Sequence, residues 1–224
     1  MREDLTEICM VIDRSGSMAS LTDDTIGGIN SFIRSQKEAP GDAILTTIFF
    51  SSTCDVVHDG ICLESVPDVT RMDYIPMGCT ALLDAVGEGI QRIKTRMSYV
   101  PEQYRPAHVL FAIMTDGQEN ASQKYNLAKI KNMISEQTEK GWKFIYMGAH
   151  PDAFDDAYTL GIDKNMTMQY THNSIGTDAA FTTMSCASTS LRSTGDLTGL
   201  NTKTYSTSVD VTGLNTRVSA STNN

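Results

Sequence analysis

Two patterns of apolar residues alternate along the chain: short unbroken runs, and stretches where apolar residues recur every three or four positions. The first unbroken run, Ile8-Cys9-Met10-Val11-Ile12, predicts a strand over Glu7–Ile12 that is covered on both faces. Similar runs predict strands at Ala43–Phe50, His108–Thr115 and Trp142–Met147, with a weaker one at Met166–Tyr170. Cys54–Val57 and Ile61–Leu63, on either side of Asp59-Gly60, read as two short antiparallel strands around a turn at the sheet edge. Helical stripes lie between the strands. Ile26, Ile29, Phe32 and Ile33 define a helix over Thr22–Glu38, with Thr22 as its expected N-cap, Asp23 and Asp24 in its first turn and Pro40-Gly41 as its stop. Leu82, Leu83, Val86, Ile90 and Ile93 mark a second helix, and Leu127, Ile130, Met133 and Ile134 a third over Asn126–Lys140. A short helix at Pro151–Leu160 ends at Gly161, and a last one at Thr177–Leu191 turns Phe181, Met184 and Leu191 inward.

This alternation predicts an α/β fold with a doubly wound, mostly parallel central sheet, one antiparallel edge strand and helices on both faces. Residues 1–192 form the expected domain. From Ser193 onward the chain becomes rich in Ser, Thr and Asn, and Thr-Gly-Leu-Asn-Thr occurs at Thr198–Thr202 and again at Thr212–Thr216. Two copies are too few for a solenoid, and the composition of 193–224 reads as a disordered tail, with an added edge strand as the alternative.

Composition narrows the function classes. A net charge of −9 argues against a nucleic-acid backbone or an anionic membrane as partner, since both need clustered Lys and Arg. No apolar run approaches the roughly 20 residues that span a bilayer, and the charged start Met1-Arg2-Glu3-Asp4 lacks a signal-type apolar region. The five cysteines, Cys9, Cys54, Cys62, Cys79 and Cys186, are odd in number and form no CxxC pair, which suits a reduced, cytoplasmic setting. A disulfide between Cys54 and Cys62 across the expected hairpin is the disfavoured alternative.

The chemistry concentrates at strand ends. Asp13-Arg14-Ser15-Gly16-Ser17 follows the first strand and delivers a carboxylate and two hydroxyls to one turn. These are hard oxygen donors of the kind that suits Mg²⁺ or Mn²⁺. Asp116 directly follows the strand His108–Thr115, and Thr80 is expected at the start of the second helix. In a doubly wound sheet these positions share the edge where ligands bind.

Asp13-Arg14-Ser15-Gly16-Ser17-Met18, Gly78-Cys79-Thr80-Ala81-Leu82-Leu83-Asp84-Ala85 and Met114-Thr115-Asp116-Gly117 resemble the metal-ion-dependent adhesion site of von Willebrand factor A domains, in the family's order. The resemblance covers about residues 5–192 and is nearest to compact intracellular bacterial or phage versions. It implies a Rossmann-like fold and a metal site made of Asp13, Ser15, Ser17, Thr80 and Asp116. Ser15 and Ser17 would bind Mg²⁺, or Mn²⁺, directly. Thr80 would bind directly or through water, and Asp13 and Asp116 mainly through water and hydrogen bonds. The implied function is a protein-binding module in which the metal captures an Asp, a Glu or another carboxylate of a protein partner, without catalysis.

The main alternative is a Mg²⁺-dependent phosphatase or phosphotransferase using Asp13. Such chemistry usually wants a second carboxylate two positions on, where Ser15 stands. No GxxxxGK[ST] or GxGxxG phosphate cradle is present, and none of His58, His108, His150 and His172 is tied to a nucleophile by a motif. Asp84 and Glu88 read as helix-surface charges. Glu119 and Asn120 are candidates for shaping the rim, with loop solvation as an equal alternative, and His150 reads as a capping or turn residue before Pro151, with a place on the rim as the alternative.

Overall fold

A computed structural model describes residues 1–197 of the chain, so the Thr-Gly-Leu-Asn-Thr repeat lies outside the described residues. Within these residues six strands form one sheet: β1 (Arg2–Asp13), β2 (Asp42–Phe50), β3 (Cys54–Cys62), β4 (Pro106–Thr115), β5 (Lys143–Gly148) and β6 (Thr167–Gln169). Their order is β3-β2-β1-β4-β5-β6, and every neighbouring pair is parallel except β2 with β3. The expected doubly wound α/β sheet with one antiparallel edge is therefore the observed architecture.

Among the described residues, five helices cover the sheet: α1 (Thr22–Glu38), α2 (Leu82–Tyr99), α3 (Leu127–Glu139), α4 (Ala153–Leu160) and α5 (Ser174–Thr194). The alternation of side chains along β1 sorts its residues between two cores. Ile8, Met10 and Ile12 pack with Ile29, Phe32 and Ile33 of α1 and with Ala180, Phe181 and Met184 of α5. Cys9 and Val11 pack on the other face with α2, α3 and α4, through residues such as Val86, Ile90, Ile130 and Leu160. A strand segment enclosed on both sides has no solvent face, which is why Ile8–Ile12 is unbroken in its apolar character.

Local details depart from the sequence pattern in three places. Residues Gly16–Leu21 already wind into a 3-10 segment, so α1 continues an existing turn and Thr22 is its first residue rather than its cap. The Thr22 hydroxyl instead donates back to the Ala19 carbonyl at 2.9 Å. The two predicted strands around Asp59-Gly60 are one strand, β3, whose pairing with β2 shifts register near Thr47. Gly60, at φ +64°, absorbs the irregularity as a bulge instead of a turn. Cys54 and Cys62 consequently sit at opposite ends of β3, roughly 26 Å apart at ~3.3 Å per residue, and all five cysteines are free. Finally, α5 runs on to Thr194, and Leu197 beyond it is buried in the α1/α5 core. Among the described residues, no helix is long and apolar enough to cross a membrane.

Between β1 and β4 the sheet order reverses, since the chain builds outward from β1 to β3 and then returns to the far side of β1. Asp13 ends β1, and Asp116 follows the last residue of β4.

Candidate metal centre

Asp13 is fully buried, and both of its carboxylate oxygens are engaged. Oδ1 accepts the Ser15 backbone N–H at 2.7 Å, and Oδ2 accepts the Thr115 hydroxyl at 2.6 Å. The Tyr74 hydroxyl donates to the Asp13 carbonyl at 2.6 Å. Burial pushes the Asp13 carboxyl up to about 6, and nearby Asp116 adds to this, while the bonds from Thr115 and Ser15 pull the other way. Asp13 therefore holds the loop and the strand ends rather than facing solvent.

The loop that it holds presents the hydroxyls. Ser15 Oγ and Ser17 Oγ lie 3.0 Å apart. Ser17 Oγ donates to Asp116 Oδ1 at 2.9 Å, and Ser15 Oγ lies 3.5 Å from the same oxygen. Neighbouring ligands of an octahedral Mg²⁺ at 2.0–2.1 Å stand about 3 Å apart. The three oxygens thus have nearly the mutual spacing of one face of such an octahedron, and their chemistry suits a hard divalent cation. Among the described residues no group of three or more His, Cys, Asp and Glu side chains is placed to hold a metal, so a cation here depends on hydroxyl oxygens.

Thr80 reaches the site by a different route. The helix α2 begins only at Leu82, with Ala81 as its N-cap, so Thr80 does not head the helix as its spacing suggested. Asn120 holds it instead: its side-chain oxygen accepts the Thr80 N–H at 2.9 Å, and its own N–H donates to the Thr80 carbonyl at 3.0 Å. The Thr80 hydroxyl lies beside Gly117, 3.6 Å from where a Cβ would stand. It makes no hydrogen bond to Asp13, Ser15, Ser17 or Asp116. The segment before it is tied to the Ser15–Ser17 turn by the Gly16 N–H on the Gly78 carbonyl (3.1 Å) and the Met77 N–H on the Arg14 carbonyl (2.9 Å).

The residues that follow Asp116 build the wall of this site. Glu119 accepts the Ala121 and Ser122 N–H groups on one oxygen, and the Leu83 N–H and Ser122 hydroxyl on the other. It therefore caps the start of α2 from across the loop. Asp84, expected as a surface charge, is buried and accepts the N–H groups of Gln123, Lys124 and Tyr125, each at 2.9 Å. Glu88 does lie on the helix surface, paired with Arg92. His150 follows β5, with its Nε2 3.0 Å from Asp156 of α4.

Two residues at the site had no role of their own in the sequence pattern. Thr115 looks like one more apolar-strand residue until its hydroxyl is seen on Asp13. His172 follows Tyr170 on the β6–α5 connection, and its Nε2 stands 3.0 Å from Asp116 Oδ2. Its one sequence signal is position: it trails a strand end on the same sheet edge.

No protein-family model matches the sequence, and no curated protein matches it. Solved structures do match in three dimensions. The PilB minor pilin of Streptococcus sanguinis superposes with a TM-score of 0.58 at 12% identity, covering 85% of this chain and 63% of that one. Proximal thread matrix protein 1 of the mussel byssus, in a form described as having a zinc-occupied MIDAS motif, gives 0.55 at 12% identity over 82% of this chain and 46% of that one. A von Willebrand factor type A protein from Catenulispora acidiphila gives 0.53 at 14% identity, over 82% and 42%. The chain has a von Willebrand factor A fold. It covers 42–63% of the length of these three chains. In this fold, Asp13, Ser15, Ser17 and Asp116 lie at the reversal of strand order, where open α/β sheets place their ligands.

Proposed function

We propose that this chain is a divalent-cation-dependent protein-binding module. In it Ser15, Ser17 and Asp116, with Thr80 alongside, hold Mg²⁺ or Mn²⁺, and the cation takes a carboxylate from a protein partner. The observation that carries this reading is the mutual spacing of Ser15 Oγ, Ser17 Oγ and Asp116 Oδ1 at 2.9–3.5 Å, with only one formal negative charge among the three. An ion held by two neutral hydroxyls and one carboxylate keeps a net positive charge. It can therefore attract an acidic group to a protein whose own net charge of −9 would repel one. A zinc-occupied site of this type in the mussel relative supports a divalent ion as the occupant.

The alternative of aspartyl phosphotransfer fares poorly on the same geometry. A nucleophilic Asp13 would need a free carboxylate oxygen, and both are taken in a fully buried side chain.

The test is calorimetric titration of the chain with Mg²⁺ and with Mn²⁺, comparing wild type with the Ser15→Ala, Ser17→Ala double variant. The variant should bind neither ion while melting normally without metal. A parallel pulldown with and without Mg²⁺ should retain a protein only in the metal-loaded wild type. Wild-type cation affinity in the double variant would sink the reading.

A further inference from the structure

The carboxylate of Asp116 is shared between two different neighbours. Oδ1 faces the hydroxyls of Ser17 and Ser15, whereas Oδ2 faces the imidazole of His172 at 3.0 Å. The side chain is only 3% exposed, so solvent does not orient it. A carboxylate alone has a broad, roughly two-fold torsion about its last bond. An imidazole nitrogen held 3.0 Å from one oxygen restricts that freedom and biases where the other points.

We propose that His172 is a positioning residue that turns Asp116 so that Oδ1 binds the cation directly rather than through water. The inference rests on the metal-site reading above and departs from the water-mediated role that the family resemblance implies for Asp116. Groups that hydrogen-bond a ligating carboxylate typically fix both its orientation and the affinity of the site. Here Oδ1 lies 2.9 Å from Ser17 Oγ, the separation of neighbouring ligands on an octahedral ion, so a cation held by Ser17 can take Oδ1 without a shift of Asp116.

His172 can do this because its own backbone is pinned on both sides. On one side, the Tyr170 N–H donates to the Gly148 carbonyl at 2.9 Å, and the buried Tyr170 hydroxyl reaches the Thr115 carbonyl at 3.4 Å. On the other, Asn173 caps α5 by accepting the Gly176 N–H at 2.8 Å. Gly176 lies so close to the turn that an added Cβ would stand 1.9 Å from the Thr171 carbonyl oxygen. The imidazole, 35% exposed, is thus presented from a short connection held at Tyr170 and Asn173, at the ends of β6 and α5. A direct Asp116 ligand also leaves the bound cation with one neutralising charge, which favours a partner carboxylate less strongly than a purely hydroxyl shell would.

Mn²⁺ serves as the probe, because electron spin resonance counts the free ion and water-proton relaxation counts the waters left on the bound one. Wild type, His172→Ala, His172→Gln and Asp116→Asn are compared, with thermal melting of each as the check on folding. His172→Ala should weaken Mn²⁺ about 10- to 100-fold and leave the bound ion with one more water than in wild type. His172→Gln, which keeps an N–H donor, should recover most of the affinity and the wild-type hydration. Asp116→Asn should lose more affinity than His172→Ala. Unchanged affinity and hydration in folded His172→Ala would overturn the proposal while leaving the metal site standing. So would a folded His172→Gln as impaired as His172→Ala, or a His172→Ala variant that loses Zn²⁺ but keeps Mn²⁺, since His172 would then be a ligand itself. Failure of wild type to bind Mn²⁺ would overturn both this inference and the function on which it rests.

Discussion

The Thr115 hydroxyl donates a 2.6 Å hydrogen bond to Asp13 Oδ2, joining by their side chains the two strands between which the sheet order reverses. β1 and β4 already share a backbone ladder up to Ile12 and Met114, so this contact extends the pairing one step into the candidate site. It also explains how a carboxylate can be buried there, since the Ser15 N–H takes its other oxygen.

Thr115→Val keeps the shape and removes the donor. One oxygen of a buried carboxylate is then left without a partner, and the expected cost is about 1.5–3 kcal/mol, the range for hydrogen bonds to charged groups. Urea denaturation of the metal-free protein should show a lower midpoint with an unchanged slope. A variant as stable as wild type would mean that Asp13 finds another donor.

Asp84 anchors the loop over α2 through three backbone N–H groups, and the ring of Tyr125 in that loop packs against Gly87 of the helix. Asp84→Ala removes all three acceptors at once. A loss on the order of 2–4 kcal/mol follows, because each bond to a charged acceptor contributes substantially but the freed amides partly recover water. Amide hydrogen exchange should accelerate at Gln123, Lys124 and Tyr125 before the rest of the sheet. Uniform exchange across the molecule would argue that the loop does not open separately.

Adjacent glycines in α1 should respond oppositely to the same change. A Cβ at Gly27 meets nothing within 4 Å, whereas one at Gly28 would stand 2.1 Å from the Phe181 ring of α5. Gly27→Ala should therefore stabilise by about 0.5–1 kcal/mol through helix propensity alone. Gly28→Ala gains the same propensity but must push α5 away, and overpacking of about 1–3 kcal/mol should prevail. Thermal melting of the pair reads the sign directly. Stabilisation by both would show that α5 yields easily.

The strands and helices were legible because the helix-covered sheet writes itself as unbroken apolar runs and 3.6-residue stripes, and α1 occupies the range its stripe marks, Thr22–Glu38. What periodicity cannot express is what polar side chains do once the chain has folded. Asp84 has the spacing of a surface residue, and only the return of residues 123–125 over α2 makes it a buried acceptor. The turn signal Asp59-Gly60 is genuine locally, but Arg96 of α2 bonds Asp59 and packs against Gly60, and β3 continues through the bulge. Within the candidate site, Asp13, Ser15, Ser17 and Asp116 could be read because each sits at a strand end or in the turn after it. His172 could not, since its relation to Asp116 arises from the placement of β6 beside β5 and from no local motif.

Glu7 is the clearest case of a charge held against the preference of its surroundings, and it predicts a pH dependence remote from the candidate metal site. It lies fully buried in β1, where Oε1 accepts from Arg96 at 2.7 Å and from the Thr46 hydroxyl at 2.8 Å, while Oε2 has no hydrogen-bond partner. Burial raises its carboxyl above the ordinary 4.5, and the pull of Arg96 and Thr46 in the other direction does not cancel it. Asp59, which also pairs with Arg96, adds to the upward shift. The folded state therefore holds a proton that the unfolded chain releases near 4.5, so the folded state binds more protons in the window above that value. Stability must then fall as pH rises through that window. The contribution is fully present below 4.5 and is lost once pH exceeds the raised folded value. Glu7→Gln removes the titration but keeps the volume and an acceptor for Arg96. The difference in unfolding free energy, wild type minus variant, should decline steadily from pH 4 upward and then level off. A difference that stays flat, or that rises with pH, would mean that Arg96 overcomes the burial and that the pair is held fully charged.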